Sequence, residues 1–437
     1  MKISLFSRIT SAAFIASILC LQPQVAQAGG QGFSKEVVDD KGYVDPGVGK
    51  FASSPFHVTV SVRGGYDDNV NLTTFDPVES WFTNVGVDMR YDFGGPRTQL
   101  SLNVGGGITY YFDRNNEDDD FVDLGDEDFD DYDFNFHAGF SITHKATPRL
   151  TLAATLYASY QSQPDFTTFN SNTVTVGRQS QDFFFSSNRF SIGYLWTPRF
   201  ATATSYTLGI IDYDDEIVSR FEDRWEHTFG NEFRFLVLPT TTVVVEYRFG
   251  IVDYDATLAQ GRNSTSHYLL AGLDHSFSPR FNTSFRAGVE FRDFEFDGLG
   301  LNGERDQTAP YFEGTVNYAL AQGTSISWTS RYSLEEPDVP EAFSRQTFRT
   351  ALAIRHQFTA RIAAGLNFAY QHDDNDPSLF SPGFDEDSFD ISLTVRYAIN
   401  RNWALDAGYT HTEVVSDEAL FREYSRNRIF FGASFTF

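Results

Sequence analysis

The sequence is poor in cysteine, lysine and long apolar runs, and each shortage excludes a class of protein. Its 437 residues contain one cysteine, Cys20, so the chain cannot form an internal disulfide and is not a disulfide-stabilised domain. After residue 28, no apolar run approaches the ~18 residues that a membrane-spanning helix needs. Lysine is almost absent after residue 28 and occurs at Lys35, Lys41, Lys50 and Lys145.

Charge and motif content exclude further classes of protein. The formal net charge is −26, which disfavours nucleic acid as a partner because its phosphates repel an acidic chain. The sequence has no HExxH, GxSxG or Walker motif, and its nine histidines are scattered. We therefore expect no enzyme activity, no cofactor and no metal site.

What the chain has in abundance is alternation of apolar and polar side chains. Aromatic residues make up 16% of the sequence, and they recur with period 2, as on one face of a β-strand. Such runs last about 10–13 residues, the length that a tilted strand needs to cross a membrane. In residues 81–93 the apolar face consists mainly of Trp81, Val85, Val87, Met89, Tyr91 and Phe93.

The runs are joined by connections that alternate between short and long. Four of the eight short turns contain Thr-Pro-Arg, Ser-Pro-Arg or Gly-Gly-Pro-Arg, and proline both favours a turn and ends strand pairing. Eight short and nine long connections join about 18 strands (16–18), although residues 183–213 alternate poorly. The pattern predicts an all-β fold, a single transmembrane antiparallel up-and-down β-barrel over residues 56–437. Predicted long connections lie near 67–80, 114–131, 162–181, 214–219, 255–263, 295–306, 335–343, 373–386 and 413–425.

Both ends of the chain indicate export to the outer membrane. Residues 1–28 combine basic, apolar and small-residue segments in the order of a cleaved signal peptide. Residues 29–55 are expected to be a short periplasmic segment. The last nine residues resemble the terminal strand of bacterial outer-membrane barrels, in which the final aromatic belongs to the assembly signal. Phe437 is the corresponding residue, and we expect outer-membrane lipid, lipopolysaccharide and the barrel-assembly machinery as partners.

Charged residues of both signs fall on the inward-facing positions of the strands. They either brace the wall of the barrel through ion pairs or, as an arginine cluster, guide a solute through it. A barrel of about 18 strands is wide enough to leave a channel. The predicted pore-lining residues are Arg248, Arg286, Arg292, Arg331, Arg349, Arg355, Glu246, Glu290 and Glu313.

The strongest acidic cluster lies in residues 117–133. It lacks the spacing of a calcium-binding EF-hand loop, because Val122 and Leu124 occupy positions where carboxylates belong. We expect a solvated outer loop, with diffuse divalent-cation binding or folding into the pore as alternatives. Asp373, Asp374 and Asp376 are interpreted as the start of a second, shorter acidic loop. The acidic residues of the main loop include Asp118, Asp119, Asp120, Asp126, Glu127 and Asp128.

Short motifs near the two ends resemble one known family. Residues 65–72 (Gly-Tyr-Asp-Asp-Asn-Val-Asn-Leu), residues 426–428 (Arg-Asn-Arg) and the repeated Thr/Ser-Pro-Arg turns are similar to the putative beta-barrel porin 2 family. The resemblance implies an outer-membrane barrel, and some relatives are linked to exopolysaccharide export. It carries over no catalytic residue.

These observations predict a water-filled outer-membrane channel, porin-like, for polar solutes or a secreted polysaccharide. The alternative is a non-conducting structural or surface-binding barrel whose acidic outer loops engage a partner or divalent cations. The sequence indicates neither the solute nor the oligomeric state.

Overall fold

The structure is a computed structural model in full atomic detail. It describes residues 56–114, 131–162, 182–255, 262–295, 306–337, 342, 344–377, 383–417 and 422–437. The predicted signal peptide, the predicted segment 29–55 and the acidic cluster from Asp118 to Asp128 lie outside the described residues.

Eighteen β-strands account for most of the described chain. The first nine are β1 (Phe56–Asp67), β2 (Ser80–Gly94), β3 (Thr98–Tyr111), β4 (Tyr132–Lys145), β5 (Leu150–Gln161), β6 (Phe183–Thr197), β7 (Phe200–Tyr213), β8 (Arg224–Leu238) and β9 (Thr241–Tyr254). The other nine are β10 (Ser264–Ser278), β11 (Phe281–Phe294), β12 (Asp306–Ala321), β13 (Thr324–Glu335), β14 (Arg345–Gln357), β15 (Ile362–Asn375), β16 (Phe384–Ala398), β17 (Trp403–Ser416) and β18 (Tyr424–Thr436). A short helix, α1 (Glu216–Glu222), joins β7 to β8.

The strands form one closed antiparallel barrel. Each strand pairs with its neighbours in the sequence, and β1 pairs with β18 to close the sheet. The predicted fold and strand number are confirmed. Closure leaves no free sheet edge, which a chain in a membrane requires because lipid offers no hydrogen bonds to an unpaired backbone.

The two faces of the barrel differ as the alternation predicts. On β2, Trp81, Val87 and Met89 are exposed on the outside, whereas Phe82 is buried inside. Exposed apolar side chains continue around the barrel on the outward-facing positions of the other strands. An apolar band of this extent is the surface that contacts lipid. Among the described residues, no helix has the length and apolar character needed to cross a membrane.

The short turns owe their shape to a repeated hydrogen-bond pattern. The hydroxyl oxygen of Thr147 accepts hydrogen bonds from the backbone N–H groups of Arg149 and Leu150, at 3.2 and 2.9 Å. Thr197 and Thr359 make the same pair of contacts in their own turns. This side-chain turn explains why threonine recurs at these positions, since it satisfies backbone donors where strand pairing ends.

Residues 183–213 alternate poorly, yet they form the full-length strands β6 and β7. The reason lies inside the barrel, where Phe183, Phe185, Ile211 and Tyr213 form a buried apolar cluster. Val218 of α1 packs against this cluster. The inner face of these two strands is therefore apolar near their outer ends, which weakens the contrast between the two faces.

Several of the predicted loop boundaries are wrong. β13 continues to Glu335, β15 to Asn375 and β17 to Ser416, so Asp373 and Asp374 belong to a strand. Asp373 is fully buried on the inner face, where it accepts hydrogen bonds from Thr347 at 2.8 Å and Gln371 at 2.7 Å. Asp373 is therefore part of the wall and not of a solvated acidic loop.

The two end motifs meet where the barrel closes. Asp67, at the end of β1, accepts hydrogen bonds from Arg426 Nε at 2.9 and 3.1 Å, and it is completely buried. The next residue, Asp68, accepts hydrogen bonds from the backbone and side-chain N–H groups of Asn427 at 2.6 and 2.8 Å. Arg428 lies 4.2 Å from the centre of the Phe82 ring. We refer to Asp67, Asp68, Arg426 and Asn427 as the seam cluster.

Phe430 faces inward, although the flanking apolar residues of β18 face the lipid. It packs against the buried cluster of Val70, Phe82 and Tyr111. This contact explains the one apolar residue on the polar face of the last strand.

Candidate functional site

The inner face of the barrel is the candidate site, and its charged residues are concentrated on β8 to β14. Arg248 donates hydrogen bonds to both Glu246 oxygens, at 2.5 and 3.0 Å. It also donates to Glu313 at 2.9 Å and to the Tyr311 hydroxyl at 2.8 Å. Arg286 of β11 also lies 3.9 Å from Glu246. Ion pairs therefore connect β9 to both β11 and β12.

A second group of charges lies beside the first. Arg286 donates to Asp274 at 2.8 Å, and Ser284 donates to the same oxygen at 2.8 Å. Arg234 of β8 also donates to Asp274 and, at 2.6 Å, to Glu232. Each arginine here has a carboxylate partner, so the group is balanced in charge.

A third group occupies the outer end of the same wall and involves a residue beyond the strands. Arg292 contacts Glu290 at 3.0 Å and Glu336 at 2.8 Å. Glu336 also accepts a hydrogen bond from the Tyr254 hydroxyl at 2.7 Å. Three strands separate β9 from β13, which corresponds to about 19 Å along the wall at the usual strand spacing. The segment after β13 must therefore lean into the barrel.

The fourth group places two arginines directly opposite each other. Arg331 and Arg349 are cross-strand partners on β13 and β14. Both contact Glu335, Arg349 at 2.7 Å. Like charges in this position destabilise a sheet, and the shared carboxylate offsets their repulsion. Arg355 lies on the inner face nearer the short-turn end of β14, and it is half-buried.

We call the inner face of β8 to β14 the crowded wall, and a cavity of ≈ 130 Å³ lies beside it. It is bounded by side chains from β6 to β13, including Arg189, Tyr268, Arg292 and Glu336. Its lining is mainly polar and charged, so water is its natural occupant.

The opposite wall, formed by β2, β3 and β4, has a different character. Its inward positions carry mostly short or uncharged side chains, with Asp88, Arg90 and Asp92 among the exceptions, and Asn103, Asn135 and Ser141 are exposed. The side chains of Asp88 and His137 are 56% and 37% exposed. The side chains of Arg286 and Glu290 in the crowded wall are only 6% and 0% exposed.

The predicted pore-lining residues all lie on inward-facing positions of β9 to β14. The structure brings eight of them into ion-pair groups, as described above. Whether they line a conducting pore stays a prediction. Glu335, Glu336, Tyr254 and Tyr311 also belong to these groups, and sequence analysis missed them. The sequence did offer one signal for Glu335. It lies four residues from Arg331 on the same strand, so both side chains face inward.

The remaining site prediction concerns the last residue. Phe437 is exposed, and its backbone N–H and C=O pair with Val58 at 2.9 and 3.0 Å. Its ring lies 5.7 Å from that of Phe435. Its role as an assembly signal stays a prediction. In the part of the chain that the structure describes, no three histidine, cysteine or carboxylate groups are placed to hold a metal ion.

Solved structures with a similar arrangement include an outer-membrane protein and a receptor. OpdK from Pseudomonas aeruginosa, solved with vanillate, has 11% identity and a TM-score of 0.43, with 87% of this chain and 99% of that chain covered. OccAB4 from Acinetobacter baumannii has 11% identity and a TM-score of 0.41, with 88% and 99% covered. The ferric enterobactin receptor PfeA of P. aeruginosa has 9% identity and a TM-score of 0.41, with 88% and 81% covered. At these values none of them bears on the function of this chain.

The comparison with curated proteins gives no match. The family comparison does give one, because the family model described as Putative beta-barrel porin 2 matches residues 47–437. That range contains every strand of the barrel, both end motifs and the turns between them. The chain therefore belongs to the putative beta-barrel porin 2 family and is a porin-like β-barrel of the outer membrane.

Proposed function

We propose that the protein is a water-filled channel that passes polar solutes across the outer membrane. The observation that carries the proposal is the exposed polar wall of β2 to β4 inside the barrel. A carboxylate that is 56% exposed within a closed barrel, such as Asp88, has to be hydrated, because an ionised group is too costly to leave in a dry interior. Water in the lumen provides a path for small polar molecules.

The size of the barrel supports the same function. Eight-stranded barrels are filled by their own side chains, whereas barrels of 16–18 strands leave an aqueous channel. This barrel has eighteen strands, and the ion-paired residues of β8 to β14 narrow it from one side. Arg286, Arg292, Arg331 and Arg349 are each paired with a carboxylate. This pairing favours a role in bracing the wall over a role in binding a charged solute.

Reconstitution in planar lipid bilayers tests the channel. We expect stepwise single-channel conductance in potassium chloride from the purified full-length protein. Liposome swelling with sugars of increasing size then gives the cut-off for uncharged solutes, and short acidic or neutral oligosaccharides test the narrower possibility of polysaccharide passage. The absence of any conductance step over repeated insertions contradicts the proposal.

One observation favours the alternative, a non-conducting structural or surface-binding barrel. The ion-pair groups bury large charged side chains on seven neighbouring strands, β8 to β14. These side chains occupy part of the lumen and reduce its open cross-section. In that case the same bilayer experiment gives inserted protein without conductance, and the acidic outer loops are the expected place of partner or divalent-cation binding.

A further inference from the structure

The lumen is filled unequally on its two sides. On β9 to β13 the inward side chains include long, charged residues that are almost completely buried, such as Glu246, Arg286 and Arg331. On β2 to β4 the inward positions include Gly86, Gly105, Gly107 and Gly139, which contribute no side chain to the lumen, and Asn103, Asn135 and Ser141, which are exposed. Hydrated space inside the barrel is therefore displaced toward β2 to β4.

A charged pair lies in the middle of the wall formed by β2 to β4, which we call the open wall. Asp88, Gly105 and His137 are direct partners across β2, β3 and β4. Because the central residue is glycine, Asp88 and His137 meet above it, with Oδ1 and Nε2 3.5 Å apart. A Cβ atom at Gly105 would collide with both side chains.

Asp88 differs from the neighbouring carboxylate Asp92 because its negative charge is not paired with any arginine that the structure describes. Arg90 donates to Asp92 at 2.7 Å, and Ser101 donates to Asp92 at 2.8 Å, so that pair is balanced. Among the described residues, the ion-pair contact of Asp88 is with His137. Its carboxylate therefore presents negative charge to the hydrated space.

We infer that the conducting path of the proposed channel is eccentric, that it follows the wall of β2 to β4, and that Asp88 beside His137 sets its ion selectivity. This inference rests on the proposed channel function and adds the residues that ions pass. It predicts that the arginines of β11 to β14, although they face inward, have little influence on selectivity.

Water access to the two walls is tested by cysteine labelling, which needs no conductance. In a Cys20→Ser background, Ser141→Cys lies on the open wall, and Ser333→Cys is the matched control on the crowded wall, where Ser333 is 4% exposed. The purified full-length variants are treated in detergent with a charged, membrane-impermeant methanethiosulfonate reagent and followed by mass spectrometry. We expect Ser141→Cys to react at least tenfold faster. Equal rates, or faster reaction of Ser333→Cys, overturn the eccentric path.

Selectivity is tested by the reversal potential in a potassium chloride gradient. Asp88→Asn should lower the cation-to-anion permeability ratio by up to about fivefold, the effect in water of one unit charge on an ion about 4 Å away. The matched control is Asp253→Asn, which removes the same charge from an exposed outward-facing position of β9 and should leave the ratio unchanged. An unchanged ratio in Asp88→Asn overturns the assignment of Asp88. A wild-type protein without conductance contradicts the channel function instead, and the labelling rates still decide which wall faces water.

Discussion

The buried carboxylate of Asp67 shows how much one residue contributes to the closure of the barrel. It pairs with Arg426 and lies 3.6 Å from Arg428, and none of its surface is exposed. Removing one partner of a buried ion pair leaves the other charge uncompensated, at a cost of about 3–5 kcal/mol.

We therefore predict that Asp67→Asn lowers the free energy of unfolding by about 3 kcal/mol. Urea unfolding of the detergent-solubilised barrel, followed by tryptophan fluorescence, measures the change. Asp88→Asn makes the same substitution at an exposed position and should shift the midpoint little. Equal midpoints for the two variants contradict a stabilising role of the seam cluster.

We expect Asp223, between α1 and β8, to make the stability depend on pH. Its carboxylate accepts hydrogen bonds from the Tyr213 N–H at 2.9 Å and the Ser219 hydroxyl at 2.6 Å. Burial raises the pKa of Asp223 to about 6, above the usual value of about 3.9. The folded state binds this proton more tightly, so the contribution of Asp223 to stability is complete below pH ~4 and is lost as the pH rises through ~6.

Asp223→Asn removes this titration. When the pH rises from 4 to 8, we expect the wild type to lose more stability than the variant. Thermal unfolding at the two pH values measures the difference. Ser219→Ala deletes one hydrogen bond of Asp223 but keeps its carboxyl, and it should retain the pH dependence. If wild type and Asp223→Asn respond identically to pH, Asp223 does not titrate in this range.

At the scale of the strands, two adjacent glycines of β1 differ sharply in the space around them. A Cβ atom at Gly65 would collide with the backbone oxygen of Ile429 and with the Phe82 ring, whereas at Gly64 the nearest atom lies 3.8 Å away. The close approach at Gly65 lets the Phe82 ring cover the backbone beside the seam cluster.

Gly65→Ala should therefore lower the free energy of unfolding by about 1–3 kcal/mol, the usual cost of overpacking. Gly64→Ala is the control and should be neutral or slightly stabilising, since alanine restricts the unfolded chain. The same urea experiment measures both variants. An equal loss of unfolding free energy at the two positions contradicts the prediction.

Period-2 alternation predicted the strands and the short turns because one face of each strand meets lipid and the other meets polar groups. The prediction failed where that contrast disappears. Beyond the membrane both faces of a strand meet polar surroundings, which is why Glu335 and Asp373 were assigned to loops. At the outer ends of β6 and β7 the contrast weakens, because Phe183 and Tyr213 belong to an apolar cluster on the inner face.

At the scale of the whole molecule, strand parity predicts which side chains face the lumen but not which of them meet water. That depends on how far opposing side chains and the segment after β13 reach into the barrel. Arg286 and Asp88 have the same inward parity, yet the former is buried and the latter exposed. The positions of the arginines were thus predictable from the sequence, whereas the balance between bracing and solute contact was not.

The terminal aromatic provides a test of assembly. Deleting Phe437 removes the last backbone pair with Val58 and the predicted assembly signal, and we expect several-fold less folded barrel in the outer membrane. Phe437→Tyr retains an aromatic ring and the backbone pair and should assemble normally. Heat-modifiable mobility of outer-membrane fractions on electrophoresis measures the folded amount, and undiminished assembly of the deletion variant contradicts the signal.

The seam cluster joins residues that are 359 positions apart in the chain. By the logarithmic dependence of loop closure on length, bringing such distant residues together costs about 5 kcal/mol of chain entropy. Neither partner can form these bonds until the other has been synthesised. A chain that stops before Arg426 contains every turn of the barrel but cannot form the seam cluster. Closure of the barrel therefore depends on synthesis of the last strand.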